Sequence, residues 1–192
     1  MTWGKDRQGE SGRARRRAPK PLSETALTDL ALHYVSRFAT TRAKLVAYLQ
    51  RKVRERGWEG EQAPDIAGIV DRSVELGYVD DEAYALAKAG SLTARGYGEG
   101  RVRQALQVAG VGEEDGASAK ELAGERAAEA ALRFARRKRI GPFAVSPPDL
   151  GMRQKALSAM VRAGHDFTLA RAVVDAPPGD ELTAEQLMAI KS

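Results

Sequence analysis

His33 and His165 are the only histidines of the chain, and it has no cysteine. Histidine is the usual proton carrier near neutral pH. Here one histidine falls among the apolar positions of a helical stretch and the other in a turn between helices, so neither has a partner at catalytic spacing. Without cysteine, thiolate nucleophiles, disulfides and cysteine-ligated zinc are excluded. No His-Glu-x-x-His pair supplies the helical zinc motif, and no serine stands in a Gly-x-Ser-x-Gly elbow. Asp80 and Asp81 are adjacent carboxylates, but neighbours on a helix do not face each other. Their place at a helix start suits amide capping and the positive end of the helix dipole. Gly96, Gly98 and Gly100 suggest a phosphate cradle, yet neither Gly-x-Gly-x-x-Gly nor Gly-Lys-Ser/Thr is met and no strand precedes them. A helix turn needing positive φ is the simpler reading. The expectation is a binding protein with no catalytic residue, metal or cofactor.

The residues that could bind are cations. The chain carries 31 Lys and Arg against 26 acids, a net charge of +5. The charge is segregated: residues 1–20 hold seven cations and two acids, and residues 125–175 hold ten and five. Between them, residues 21–124 hold 13 cations against 16 acids. Blocks of one sign point to an anionic partner, although 22 Arg against 9 Lys also fits a compositional bias. The candidate contact residues flank the predicted turns: Arg37, Arg42, Arg95, Arg101 and Arg103, followed by Arg133, Arg136, Arg137, Lys138 and Arg139. The last run reads equally as a solvated helix end whose charge suits the C-terminal dipole. Tyr97, flanked by glycines, is the aromatic expected to be exposed, whereas Tyr78 and Tyr84 are assigned to the core.

These residues need helices to position them. Apolar side chains recur at three- and four-residue steps from Leu27 to Phe38, again through Leu45, Val46, Leu49 and Val53, and again from Ile66 to Leu76. Ser23 and Asp65 are placed to open helices, and Gly57, Gly77 and Gly110 to close them. Further helices are expected over about 81–95, 100–110, 119–139 with a break near Gly124, 149–163 and 166–174. Residues 1–21 are basic and rich in Gly and Pro, and are expected to be disordered. No stretch alternates over strand length and no apolar run approaches the ~18–20 residues that span a bilayer. No secretory signal is seen at the N-terminus. The fold class is all-α, and the protein is expected in the cytoplasm.

The plan repeats. Arg37-Phe38-Ala39-Thr40 precedes a helix with Leu45 and Leu49, and Arg95-Gly96-Tyr97-Gly98 precedes one with Val102 and Leu106. A poorer third copy carries Ala156, Met160 and Gly164. The expected organisation is a tail at 1–21, three-helix repeats at 22–79, 80–125 and 126–176, and a C-terminal tail at 177–192 that forms at most a loose helix. About nine helices would stack into an elongated, curved array, each repeat burying its apolar face on its neighbours.

The stretch Gly77-Tyr78-Val79-Asp80-Asp81-Glu82-Ala83-Tyr84-Ala85 resembles the hallmark of the RecX family of recombination regulators. So does Arg95-Gly96-Tyr97-Gly98 with Arg101-Val102, Leu106 and Gly110-Val111. Ala31-Leu32, Arg37, Thr40, Leu45 and Leu49 are similar to the family's first helix pair, and Ala163-Gly164-His165 stands where the family usually has Arg-Gly-Phe. The resemblance covers roughly residues 25–175. It implies tandem three-helix repeats and a cytoplasmic protein that binds the RecA recombinase filament in its groove. It further implies suppression of ATP hydrolysis and strand exchange in recombination and repair. A monomer is expected. The alternative from another class is a helical module that binds single- or double-stranded DNA directly.

Overall fold

A computed structural model describes residues 20–191, so the predictions for the tail at 1–21 lie almost wholly outside the described residues. The described chain is all-α: ten α-helices and one 3-10 turn, with an isolated parallel bridge between Leu22 and Trp58. Helices α1 (Glu24–Val35), α2 (Arg42–Arg56) and α3 (Ile66–Glu75) form unit I. Unit II comprises α4 (Asp81–Ala94), α5 (Glu99–Ala109) and α6 (Ala117–Glu125). Unit III comprises α7 (Ala127–Lys138), α8 (Leu150–Arg162) and α9 (Phe167–Asp175), with α10 (Ala184–Lys191) packed on α7 and α9.

Capping side chains set where the helices begin. Ser23 accepts from the Ala26 amide at 3.2 Å, Asp65 from Gly68 at 2.9 Å and Asp149 from Met152 at 2.7 Å, each satisfying an amide that the first turn leaves free. Leu22 is fully buried and its backbone bonds Gly57 and Glu59, tying the start of unit I to the loop after α2.

Each unit has its own core. Unit I buries Leu22, Leu27, Leu45, Leu49, Val70 and Val79. Fully burying a leucine stabilises by roughly 1.5–3 kcal/mol, so unit I is the aliphatic-rich end. Unit II is built on smaller side chains: Ala85 and Ala89 of α4 face Ala119 and Ala123 of α6, with Val102 and Leu106 of α5 closing the cluster. Alanine at a helix contact lets backbones approach closely, which is why α4 and α6 make the most extensive helix pair. Unit III combines the alanine face of α7 with Phe134, Met160, Leu169 and Val173.

Three expectations change in detail. The break expected near Gly124 falls at Arg126, which ends α6 and starts α7, while Gly124 sits inside α6. Residues 177–192 do more than trail off: Leu187 of α10 is fully buried in the unit III core. Tyr78 is exposed instead of buried, because its chain position lies in the turn before α4 and only Val79 beside it turns inward.

Candidate functional site

The units join through one repeated device. The turn before the second helix of one unit docks on the C-terminal end of the second helix of the next. At the I–II junction the Thr41 hydroxyl donates to the Ala109 carbonyl at 2.6 Å, and the buried Asp81 carboxylate accepts from the Arg42 amide at 2.9 Å. At the II–III junction the Gly98 amide donates to Ala163 at 3.0 Å and the Gly100 amide to Gly164 at 2.9 Å. His165 Nε2 lies 3.2 Å from the Gly96 carbonyl and the ring packs edge-on to Phe134. The close approach explains two glycines: a Cβ on Gly98 would overlap the Gly164 carbonyl, and Gly164, at φ +90°, would meet the Arg101 amide.

Burial sets the protonation of two junction groups. Desolvation lowers the His165 pKa from 6.5 to about 4, outweighing the Gly96 carbonyl, so the ring is neutral with the proton on Nε2 and Nδ1 unpartnered. Desolvation raises the Asp81 pKa against the lowering effect of the Arg42 amide. Asp80 caps α4 through the Ala83 amide at 2.8 Å, so of the two adjacent carboxylates one closes its own helix and the other closes α2 of the preceding unit.

Beside these junctions, a groove of about 420 Å³ runs between α4 and α5. Lys44, Tyr84, Lys88, Arg95, Tyr97 and Arg101 line it, and no acid does. The Lys44 ammonium donates to the Tyr84 hydroxyl and lies 4.5 Å from its ring centroid. The Arg95 guanidinium stands 5.5 Å from the Tyr97 centroid, and Arg101 bonds the Gln104 side chain at 2.7 Å. None of the four cations belongs to an ion pair among the described residues, whereas Arg42, Arg51, Lys52, Arg72, Lys120, Arg153 and Arg171 all do. Two half-buried and two exposed cations, none in an ion pair among the described residues, thus line one concave surface, an arrangement that favours anions.

The structure brings Arg95, Tyr97 and Arg101 together and separates the other predicted residues. Tyr97 is half-buried at the II–III junction, packed against both cores, instead of freely exposed. Arg137 reaches the groove's edge from unit III: it donates to the Arg95 carbonyl, and its guanidinium lies 6.0 Å from the Tyr97 ring. Arg37 is exposed in the turn after α1, and Arg42 is paired with Asp71 at 3.4 Å. Arg103 faces a different depression beside Glu99 and Asp166. Arg133 is exposed on α7, Arg136 lies 4.9 Å over Phe143, and Lys138 and Arg139 line a separate groove of unit III. Lys44, Tyr84 and Lys88 were not among the predicted contacts. The signal for part of this set is the helical spacing of Tyr84, Lys88, Leu92 and Arg95, which share one face of α4.

Among the described residues no cluster of His, Asp and Glu could hold a metal ion, and no helix is long and apolar enough to cross a membrane. No protein-family profile matches the chain. It is 36% identical over 183 residues to "Regulatory protein RecX" of Myxococcus xanthus (strain DK1622), covering 91% of this chain and 96% of that protein. Its fold is similar to that of a solved RecX regulatory protein, with TM-score 0.56, 23% identity and coverage of 79% of this chain and 70% of that one. The fold is also similar to that of RecX from Lactobacillus salivarius, with TM-score 0.57, 16% identity and coverage of 79% and 94%. With near-full-length similarity in sequence and a shared helical fold, the chain belongs to the RecX family of regulatory proteins.

Proposed function

We propose that the chain binds the RecA recombinase filament and lowers its ATPase and strand-exchange activity, acting in the cytoplasm as a monomer without catalysing a reaction itself. The three units at 22–79, 80–125 and 126–176 act as repeats that present one extended face to a polymeric target. Family membership supports the regulatory role, and the observation that carries the binding surface is the acid-free groove of Lys44, Lys88, Arg95 and Arg101. A row of units seated across adjacent filament subunits would slow turnover by binding one filament state more tightly than the other. Binding purified RecA with and without ATP and single-stranded DNA tests this. Retention that requires the ATP-bound filament supports it, and equal retention by DNA alone opposes it.

A second reading is direct nucleic-acid binding, favoured by the two tyrosines beside the cations, since aromatic rings among basic groups form stacking surfaces for bases. Salt separates the two. Phosphate-driven binding weakens steeply with the logarithm of salt concentration, and an interface with an apolar centre weakens less.

A further inference from the structure

The last turn of α7 departs from the usual rule for helix ends. Arg139 follows α7 at φ 54°, and it is the one non-glycine residue with positive φ among the described residues. Glycine normally holds this position, because a Cβ is disfavoured there. An arginine at a φ that favours glycine raises the question of what its side chain does there. Arg139 lines a groove of about 470 Å³ between the end of α7 and α8, which shares no lining residue with the cationic groove of unit II.

The two grooves differ in chemistry. Here the floor is aliphatic, with Ile140 and Val174 buried in it and Ala156 half-buried, while Met152 and Val145 stand exposed at its edge. The rim carries Lys138, Arg139 and Lys155, none of them in an ion pair among the described residues, and no acid lines the site. An apolar floor offers nothing to phosphates or to base edges but fits a large apolar side chain, while the cationic rim selects acids beside that side chain. The chain's own first twenty residues carry seven cations against two acids, the wrong sign to fill it.

We propose that the α7–α8 groove of unit III is a docking site for an acidic peptide segment of a partner protein, with an apolar anchor on the aliphatic floor and flanking carboxylates on Lys138, Arg139 and Lys155. This surface is additional to the groove of unit II and does not depend on what that groove binds.

Arg139→Gly isolates the side chain, because glycine suits the backbone at φ 54° and the variant keeps or gains thermal stability. Lys155→Glu reverses an exposed rim charge. A random library of peptides about twelve residues long, enough for roughly three helical turns, is panned on the full chain and on both variants. The expected result is recovery of peptides pairing large apolar residues with Asp or Glu. Their affinity by fluorescence anisotropy should fall about tenfold in each variant, the size of one lost charge-assisted contact. Recovered peptides without that pattern, no recovery at all, or affinities unchanged in the variants would overturn the proposal. So would a lower melting temperature for Arg139→Gly, which would make the arginine a structural residue. Loss of oligothymidylate binding in the variants in place of peptide binding would assign the rim to nucleic acid. A concentration-dependent dimer abolished by them would assign the groove to a second copy of the chain. Either outcome counts against a peptide site.

Discussion

The Thr41 hydroxyl donates to the carbonyl oxygen of Ala109 at 2.6 Å, joining the start of α2 to the end of α5 across the I–II junction. Thr41 Oγ1 itself accepts from the Lys44 amide at 3.2 Å and so also caps α2. The equivalent bond at the II–III junction runs from the Gly98 amide to Ala163, 57 and 54 residues further along. Thr41→Val keeps the shape and removes both bonds, leaving a buried carbonyl unpartnered. The expected loss is about 2 kcal/mol by urea denaturation, with a smaller loss for Thr41→Ser.

Glycines of this chain divide by what surrounds them, and alanine substitutions should have opposite signs. Gly164→Ala combines a φ of +90° with overlap on the Arg101 amide, and should cost about 3 kcal/mol or more. Gly90 of α4 and Gly124 of α6 have open space where a Cβ would sit. Alanine at either should stabilise by about 0.5–1 kcal/mol through helix propensity. Thermal melts of the three single variants check this.

Asp81 shows why a buried carboxylate can be retained at a cost. It closes the N-terminus of α2, but desolvation raises its pKa in the folded state. The protonation-linked part of its contribution is therefore greatest at low pH and falls as pH rises through the raised value, while the carboxylate still accepts from the Arg42 amide. Asp81→Asn keeps the acceptor and removes the buried charge, so it should hold neutral-pH stability within about 0.5 kcal/mol. Asp81→Ala should lose about 1–2 kcal/mol.

His165 acts in the opposite sense. Its folded-state pKa of about 4 lies below the usual 6.5, so the unfolded chain takes up the proton first as pH falls. Above about 6.5 this residue has no pH effect. Between 6.5 and 4 it should remove up to about 3 kcal/mol of stability, levelling off below 4. His165→Phe should abolish that slope in pH-dependent denaturation while keeping contact with Phe134.

The helices, their caps and the all-α class were legible because periodicity, Ser23 and Asp65, and the closing glycines act locally. The cross-unit role of Asp81 was hidden, since its partner lies 39 residues back and capping of its own helix already accounted for the Asp80-Asp81 pair. Tyr97, a tyrosine between glycines, reads as a free loop residue in the sequence, whereas the tight II–III approach seats it between two cores. The groove of unit II was half legible. Arg95 and Arg101 flank a predicted turn, but Lys44 enters from another unit, and only docking places it beside Tyr84. The Arg136–Arg139 run looked like one surface, and helix geometry divides it among three environments. The packing of α10 rested on Leu187 meeting unit III, a contact that helix propensity cannot reveal.

Reversing Lys88 and Arg101 together tests whether the unit II groove binds the filament, because both line that acid-free groove and neither belongs to a core. The measurement is inhibition of RecA ATPase on single-stranded DNA, titrated with the wild-type chain and with the Lys88→Glu/Arg101→Glu variant at matched salt and with matched melting temperatures. The expected result is inhibition by the wild type and a loss of about tenfold or more in potency for the variant. No inhibition by the wild type would exclude a regulatory action on RecA, and equal inhibition by both would exclude the unit II groove as the contact surface.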